Sequence, residues 1–416
     1  MSRLRHRLAV GARRHPTAGR VLIVVQNLPV PLDRRVWLEA RALVDAGYGV
    51  SVICPSADGR SGSFELEGVR VHTYRPPAER ESTLGFAYEF AYCWLRSAAL
   101  AVRVLRHEGF DALQACNPPD TYFLLGALAR ATGRAFVFDH HDLSPELYES
   151  RFERPSPVLA RALRLLERAT FRTADHVIAT NGSYRDIALG RGKRAPESVT
   201  VVRSGPDLDR LRRRRPDPGL KHGRPFLCAY LGVMGPQDGL DLLVAALDVI
   251  VNEMGRTDCH FALLGFGPAL AWVQREVRSR GLEPWVTVTG RAGDETIERY
   301  LSTADVGLAP DPKNAFNDRC TMNKVVEYMA FGLPVVSFDL AESRVSAGPA
   351  ADYVAGNDPV AFAKSVVALL DDPERRARMA EAGRRRVEES LCWPRQAPAY
   401  VAVYDKLLGR ARRARR

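Results

Sequence analysis

Short apolar runs recur along this chain at a regular distance, and each is followed by a segment with helical periodicity. In the first half they are VLIVV from Val21, VSVIC from Val50, DALQA from Asp111, AFVFD from Ala135, DHVIA from Asp175 and VTVV from Val199. Strands that alternate with helices build parallel sheets, because a parallel pair needs a long crossover between its strands. The rhythm stops over residues 203–225, where Pro, Gly and a run of arginines predict an exposed connection. It then restarts with FLCAYLG from Phe226, HFALLG from His260, WVTVTG from Trp285, DVGLAP from Asp305 and PVVSFD from Pro334. The pattern predicts an α/β protein of two doubly wound domains, 21–203 and 226–390, joined by a linker over 204–225. Helical segments fill the last third, and 391–416 reads as a final helix ending in a basic tail.

Two helices can be bounded closely. One runs from Arg34 to Ala46 and is closed by Gly47. The other follows the polar turn Asn317-Asp318-Arg319, with Thr321 as the expected N-cap, and runs to Phe331 before Gly332 stops it.

Length supports two domains, since 416 residues exceed what one compact core holds. The net charge of +11 changes the picture less than it suggests. Residues 1–20 hold six arginines and the last eight residues five, so the body between them is close to neutral. Such tails are expected to be disordered and solvated; loose attraction to an anionic membrane or to nucleic acid is the other reading. The seven cysteines are scattered, odd in number and never in a CxxC pair, which fits a reducing compartment and argues against structural zinc. The longest apolar stretch, 86–105, is broken by Glu89, Arg96 and Arg103, and reads as an amphipathic helix of the core or of a membrane surface rather than a span.

In doubly wound sheets, ligands sit beyond the carboxyl ends of the strands. The loops there are QNLPVPLDRR, FDHHDLSPE, RSGPD, YLGVMGPQDG and LLGFGP. The helix after Thr321 adds Lys324 in its first turn, where an ammonium opposes the helix dipole unless an anion shares the site. Glu327 stands one turn further along the same face, the lone carboxylate of an apolar segment, placed to accept hydrogen bonds from vicinal hydroxyls. Phosphates and a ribose would satisfy both residues together; a plain Lys/Glu helix pair is the competing reading. His140, His141 and Asp142 end a strand, so an imidazole there can bind a sugar hydroxyl, cap its loop or, less specifically, join a metal site. GFGP is half a dinucleotide fingerprint, and GPQDG is a modest anion site or an ordinary turn.

Taken in order, LPVPLDRRVWLEARAL, CNPPD, FDHHDLSPELY, VVRSGPD, LGVMGPQDGLDLL, NDRCTMNKVVEYMAFGLPVV and LCWPRQAPAYVAVYDKLL resemble a family 4 glycosyltransferase of the GT-B fold, most closely its bacterial exopolysaccharide and surface-glycan members. The resemblance spans Val21 to Leu408. It implies two facing Rossmann-like domains, a C-terminal helix crossing back to the first, and hexosyl transfer with retention from a nucleoside diphosphate sugar, a UDP-sugar first among them. Glu327 is similar to the glutamate holding the donor ribose and His141 to the histidine facing the donor sugar. Arg291, Gly265 and Gly267 match the lining of the base pocket. The acceptor is expected near Asn27, Arg34, Arg35, Asn117, Asp120 and Asp142.

Where the family places an earlier glutamate this chain has Arg319, and where it places an Arg and a Lys on the diphosphate it has Val233 and Asp238. A leaving diphosphate still needs compensating charge. Lys324, Arg319 and Arg203, with Asn323 and the amide of Gly235, are expected to supply it, so that His141, Lys324 and Glu327 carry the catalytic roles. Neither a cofactor nor a metal is expected. A lipid-linked glycan at the inner face of the plasma membrane is the first acceptor, which makes the protein cytoplasmic or peripheral, and a small natural product the second. A sugar-nucleotide epimerase or an inverting transferase would share the architecture, and a basic nucleic-acid-binding protein is the non-enzymatic reading.

Overall fold

The computed structural model describes residues 18–77, 83–152, 154–208 and 210–415, with the side chains of 83–87 and 410–415 left aside. The expected N-terminal basic tail therefore falls, but for its last three residues, outside the described part.

Among the described residues, fourteen strands form two sheets. The first comprises β1 (Arg20–Val24), β2 (Gly49–Pro55), β3 (Gly62–Leu66), β4 (Val69–Tyr74), β5 (Ala112–Cys116), β6 (Ala135–His140), β7 (His176–Ala179) and β8 (Val199–Val201), ordered β3-β4-β2-β1-β5-β6-β7-β8. The second comprises β9 (Phe226–Leu231), β10 (Cys259–Leu264), β11 (Val286–Gly290), β12 (Val306–Ala309), β13 (Val335–Phe338) and β14 (Ala351–Val354), ordered β11-β10-β9-β12-β13-β14. All eleven apolar runs are strands, and β1 pairs in parallel with both β2 and β5, as β9 does with β10 and β12. This is the two-sheet, doubly wound architecture that the alternation predicts.

Three strands escaped the sequence pattern. β3 and β4 form an antiparallel hairpin whose turn, Glu67-Gly68, has φ values of 49° and 82°, the geometry of a tight two-residue hairpin loop. β3 is an exposed edge strand with no apolar run, and β14 has only four residues.

By contact density the chain divides into two compact units. The first holds residues up to Cys116, Leu124–Val137 and Val401 onwards; the second holds Asn117–Phe123 and Phe138–Tyr400. The last helix, Trp393–Arg415, is thus shared, its start in the second unit and its remainder in the first. Within the first unit, Arg35 pairs with the buried Glu39 at 2.9 Å, Gln114 donates to Glu39 at 2.8 Å, and Tyr404 of the last helix donates to Gln114.

In the second unit both faces of the second sheet are covered. Cys228 and Tyr230 of β9 point into one cluster with Phe261, Phe338 and Phe362, while Leu227, Ala229 and Leu231 point into another with Tyr328, Met329 and Val335. The period of two along β9 is the sheet alternation made visible. The arginine-rich connection is not loose: Arg210 pairs with Asp294 and Arg214 with Glu298, both at 2.5 Å, along the helix Asp294–Thr303. Among the described residues, no helix is long and apolar enough to cross a membrane.

Tyr328 ties the second sheet to the helix beneath it. Its buried hydroxyl accepts from the amide of Leu231 at 2.7 Å and donates to the carbonyl of Leu308 at 3.0 Å. Tyr328→Phe strands two buried backbone groups and should cost about 1–3 kcal/mol, read as a lowered urea midpoint without loss of expression.

Candidate active site

The helix Asn323–Ala330 follows a single 3-10 turn, Asn317–Arg319. Val325, Val326, Tyr328, Met329 and Ala330 are buried, Lys324 is nearly so, Glu327 is half-buried, and Asn323 is exposed. The expected N-cap is corrected here. Met322 takes that place and offers no side-chain cap, because the hydroxyl of Thr321 accepts instead from Asn181 Nδ2 at 3.0 Å. The same Nδ2 donates to the carbonyl of Arg319 at 2.8 Å, and Asn181 Oδ1 caps the helix Gly182–Gly190 through the amide of Tyr184 at 2.8 Å. A tertiary anchor has won over the local cap. It leaves the first amides of the 323–330 helix without a side-chain acceptor, which suits an anion.

Lys324 Nζ lies 2.6 Å from Asp311 Oδ1 and 5.0 Å from the centre of the Tyr230 ring. Asp311 keeps 2% exposure and the Lys324 side chain 10%. Burial pulls the ammonium's pKa down, but Asp311, Tyr230 and Asp238 together outweigh it and hold it above the ordinary lysine value. Lys324 is therefore a fixed cation, and an ammonium has three donors of which Asp311 occupies one.

The turn Gly235–Asp238 stands against this cation. Asp238 Oδ2 accepts from the amide of Gly235 at 2.8 Å, so the expected anion-binding amide already holds a carboxylate. Next to it, a Cβ on Gly265 would overlap the Gly232 carbonyl oxygen, and one on Gly267 would press on the backbone of Met234; only glycines let these loops touch. Met234 donates to Phe266 O and accepts from Ala269 N, both at 2.8 Å, zipping the loops after β9 and β10 together. Arg291 stacks over the Phe266 ring at 4.2 Å on the same loop.

A second cluster surrounds the end of β6. Asn117 Oδ1 accepts from the amides of His141 at 2.6 Å and Asp142 at 3.2 Å, and its Nδ2 donates to Asp142 O at 2.7 Å and Asp120 Oδ1 at 3.1 Å. Asn117 thus fixes the turn that presents His141. His141 Nε2 meets the buried carboxylate of Asp139 at 2.7 Å, which sets the orientation of the ring. His140 goes the other way, fully buried among Phe138, Phe171 and Tyr184, with Glu167 3.7 Å from its Nε2. Asp120 is buried too; its loss of water pushes the carboxyl up to about 6, opposed mainly by the Ser144 hydroxyl beside it.

The expected phosphate-binding arginines are already paired. Arg319 lies 3.1 Å from Glu146, a carboxylate shared with Arg191 at 2.7 Å, and Arg203 lies 3.5 Å from Glu342. Glu342 also accepts from Ser183 Oγ at 2.7 Å. Lys324, Gly235, Gly265 and Gly267 come together; Asn117, Asp120, His141 and Asp142 form the second group, and Arg319 reaches that second group's surroundings through Glu146. Asn27 (exposed), Arg34 (half-buried) and Arg35 (buried) belong to the other unit. Sequence reasoning missed Asp139 and Asp311. Asp139 stands two residues before His141, on the same side of an extended segment, which was a readable signal; Asp311 had none.

Two family models match the chain in succession. "Glycosyl transferase 4-like domain" matches residues 32–205 and "Glycosyl transferases group 1" residues 225–372, together more than three-quarters of the chain. The class defined by the fold and these domains is the GT-B glycosyltransferase. Within it, the chain belongs to the family 4 type, whose two domains these models describe. The alpha-D-kanosaminyltransferase of Streptomyces kanamyceticus is 29% identical over 38% of this chain and 39% of its own length. A GDP-mannose-dependent alpha-(1-6)-phosphatidylinositol monomannoside mannosyltransferase of Mycolicibacterium smegmatis is 31% identical over 48% and 52%. The match thus spans from two-fifths to about half of these relatives. Sucrose-phosphate synthase of Thermosynechococcus elongatus superposes with a TM-score of 0.74 over 94% of this chain and 99% of that one, at 18% identity. The Anabaena protein HepE in complex with UDP-glucose gives 0.67 over 93% and 100%, at 16% identity. At these identities the superpositions show the fold.

Two measurements probe the electrostatics. Lys324→Met leaves Asp311 buried without its cation and should cost about 3–5 kcal/mol, most of it recovered in the double variant Lys324→Met/Asp311→Leu, as read by denaturant titration. For Asp120, the folded carboxyl binds its proton more tightly than the unfolded one, whose ordinary value is 3.8. Stability is therefore lost as pH rises from about 4 to 6, and Asp120→Asn should be more stable than the parent by about 2–3 kcal/mol at pH 7.5, the gap closing towards pH 4.

Proposed function

We propose that this protein transfers a hexosyl unit from a nucleoside diphosphate sugar to an acceptor hydroxyl, with retention at the anomeric carbon. The observation that carries the reading is the 323–330 helix: its uncapped amides, its largely buried cation Lys324 and the half-buried carboxylate of Glu327 one turn on stand beside glycine loops packed in direct contact. Membership of a glycosyltransferase family supports it. Glu327 is assigned to the ribose, Lys324 to the diphosphate, and Arg291, Gly265 and Gly267 to the base. His141, oriented by Asp139, is assigned to the donor sugar. Asn117, besides Asp120 and Asp142, shapes the turn that would meet the acceptor.

Retention is read as same-face attack. In that route the departing phosphate oxygen takes the acceptor proton, and the protein's task is to hold charge where it accumulates on the diphosphate. Lys324 does this from a dry, fixed position. Arg319 and Arg203 contribute once an anion draws them from Glu146 and Glu342. No metal enters this scheme.

The reported relatives bear the names of transferases, which favours this reading over an epimerase and over a nucleic-acid binder. UDP-sugars are the first donor class to test, because HepE is described in complex with UDP-glucose, with GDP-mannose beside them. A lipid-linked glycan met at the cytoplasmic membrane face is the first acceptor, and a small natural product the second.

Incubation with UDP-, GDP- and dTDP-hexoses should reveal slow hydrolysis of one donor class. Proton NMR of the transferred sugar should show the donor's anomeric configuration retained. Glu327→Ala should raise the donor KM about 10- to 100-fold, the equivalent of one or two hydrogen bonds to a charged group. Inversion would dismiss the same-face route, and an unaltered KM would dismiss the ribose assignment.

A further inference from the structure

In the loop after β9 this chain carries Asp238, and its carboxylate is engaged with that loop's own backbone. Oδ2 accepts the amide of Gly235 at 2.8 Å, and the turn is closed from the other side by the Asp238 amide on Gly235 O at 3.2 Å. The side chain thus fills its own loop's anion cradle. A hypothetical Cβ on Gly235 would lie 2.8 Å from Asp238 Oδ2, so the carboxylate sits directly over this amide.

We propose that Asp238 is a built-in anion occupying the diphosphate subsite, and that donor binding is coupled to protonation of this carboxylate. The inference rests on the donor reading given above and deepens it.

The charged and titratable groups facing Asp238 are Lys324, Asp311 and Arg151, with the Tyr230 hydroxyl nearby. Burial raises its carboxyl above the usual range and Asp311 adds to the rise, while Lys324, the Gly235 amide and Arg151 oppose them. In the free protein the Lys324 ammonium is flanked by two carboxylates, Asp311 at 2.6 Å and Asp238. Asp311 holds Lys324 directly and has the stronger claim on it. A diphosphate entering beside Lys324 brings two more negative charges into the same poorly solvated space. The balance is restored most cheaply if Asp238, which holds a backbone amide while Asp311 holds the ammonium, takes one proton from solvent and leaves the Gly235 amide to a phosphate oxygen. A neutral Asp238 can then donate its own O–H to the phosphate.

The sign follows from linkage. If the donor-bound carboxyl holds its proton more tightly than the free one, affinity is greatest at low pH and falls as pH climbs from the free value to the bound value. A nucleoside diphosphate sugar is a suitable probe, because its diphosphate is esterified at both ends and has no group titrating near neutrality.

The test is isothermal titration of the full chain with UDP-glucose and with GDP-mannose between pH 5.5 and 8.5, in EDTA. Runs at one pH use two buffers of different ionisation enthalpy. The expected result is uptake of a substantial fraction of one proton, with affinity falling by up to about tenfold per pH unit across the window. Asp238→Asn, which keeps an acceptor for the Gly235 amide, should bind with little proton uptake, with a flat pH profile, and more tightly than the parent at pH 8. Proton-neutral, pH-independent binding by the parent protein overturns the proposal without recourse to any variant. So does binding that appears only when Mg2+ replaces EDTA, since a cation would then be compensating the carboxylates. Absence of binding by every nucleotide sugar at every pH overturns the donor reading itself, and this proposal with it.

Discussion

The second unit is organised around a buried charge, the ammonium of Lys324 on Asp311. A lysine in the first turn of a helix opposes the helix dipole, and one with 10% of its side chain exposed loses most of its hydration as well. Both costs are met by Asp311 at 2.6 Å, by the face of Tyr230 and by the field of Asp238. The surrounding geometry follows from that arrangement. Tyr230 must present its ring, so its hydroxyl is tied to Val233 O at 3.0 Å, and the chain between them turns tightly enough to bring Gly232 against the lysine stem. The loops after β9 and β10 then meet without side chains between them.

The helix bearing Lys324 is positioned from outside its own sheet. Asn181 holds Arg319 O and Thr321 Oγ1 while capping the helix Gly182–Gly190, and Glu342 grips Ser183 at the start of that same helix. Tyr184, one residue further, meets Cys320 Sγ at 3.3 Å. A single helix N-terminus is thus locked to the segment that leads into the site. Glu146 adds a charged strut, bound by Arg191 and Arg319. The two arginines proposed for the diphosphate, Arg319 and Arg203, are each paired with a carboxylate, Glu146 and Glu342.

Much of the fold was legible because central strands of a parallel sheet are apolar on both faces. Runs such as VLIVV and FLCAYLG announce themselves regardless of their neighbours. β3 and β14 were not: GSFEL is exposed but for its last residue and ADYV is a short segment of mixed polarity, so neither carries an apolar run. The placement of the candidate residues was legible where they fall in one segment: Lys324 and Glu327 lie on one helix, and His141 follows a strand. It was illegible where a candidate residue is held by a partner distant in the chain. Asp311 precedes Lys324 by thirteen residues, Glu146 precedes Arg319 by 173, and neither spacing is periodic with anything. Thr321 shows the same limit from the other side. It has the composition of an N-cap, and Asn181 took its hydroxyl for another purpose.

The central claim is that Lys324 and Glu327 together hold one nucleoside diphosphate sugar. A crystal structure of the protein soaked with UDP-glucose, or with whichever nucleotide sugar it hydrolyses, tests it most directly. The account predicts a phosphate oxygen within hydrogen-bonding distance of Lys324 Nζ, with Asp311 still on the opposite side of the ammonium, and both ribose hydroxyls on the Glu327 carboxylate. A nucleotide bound elsewhere, with Lys324 turned wholly to Asp311 and Glu327 bonded only to protein, would contradict it.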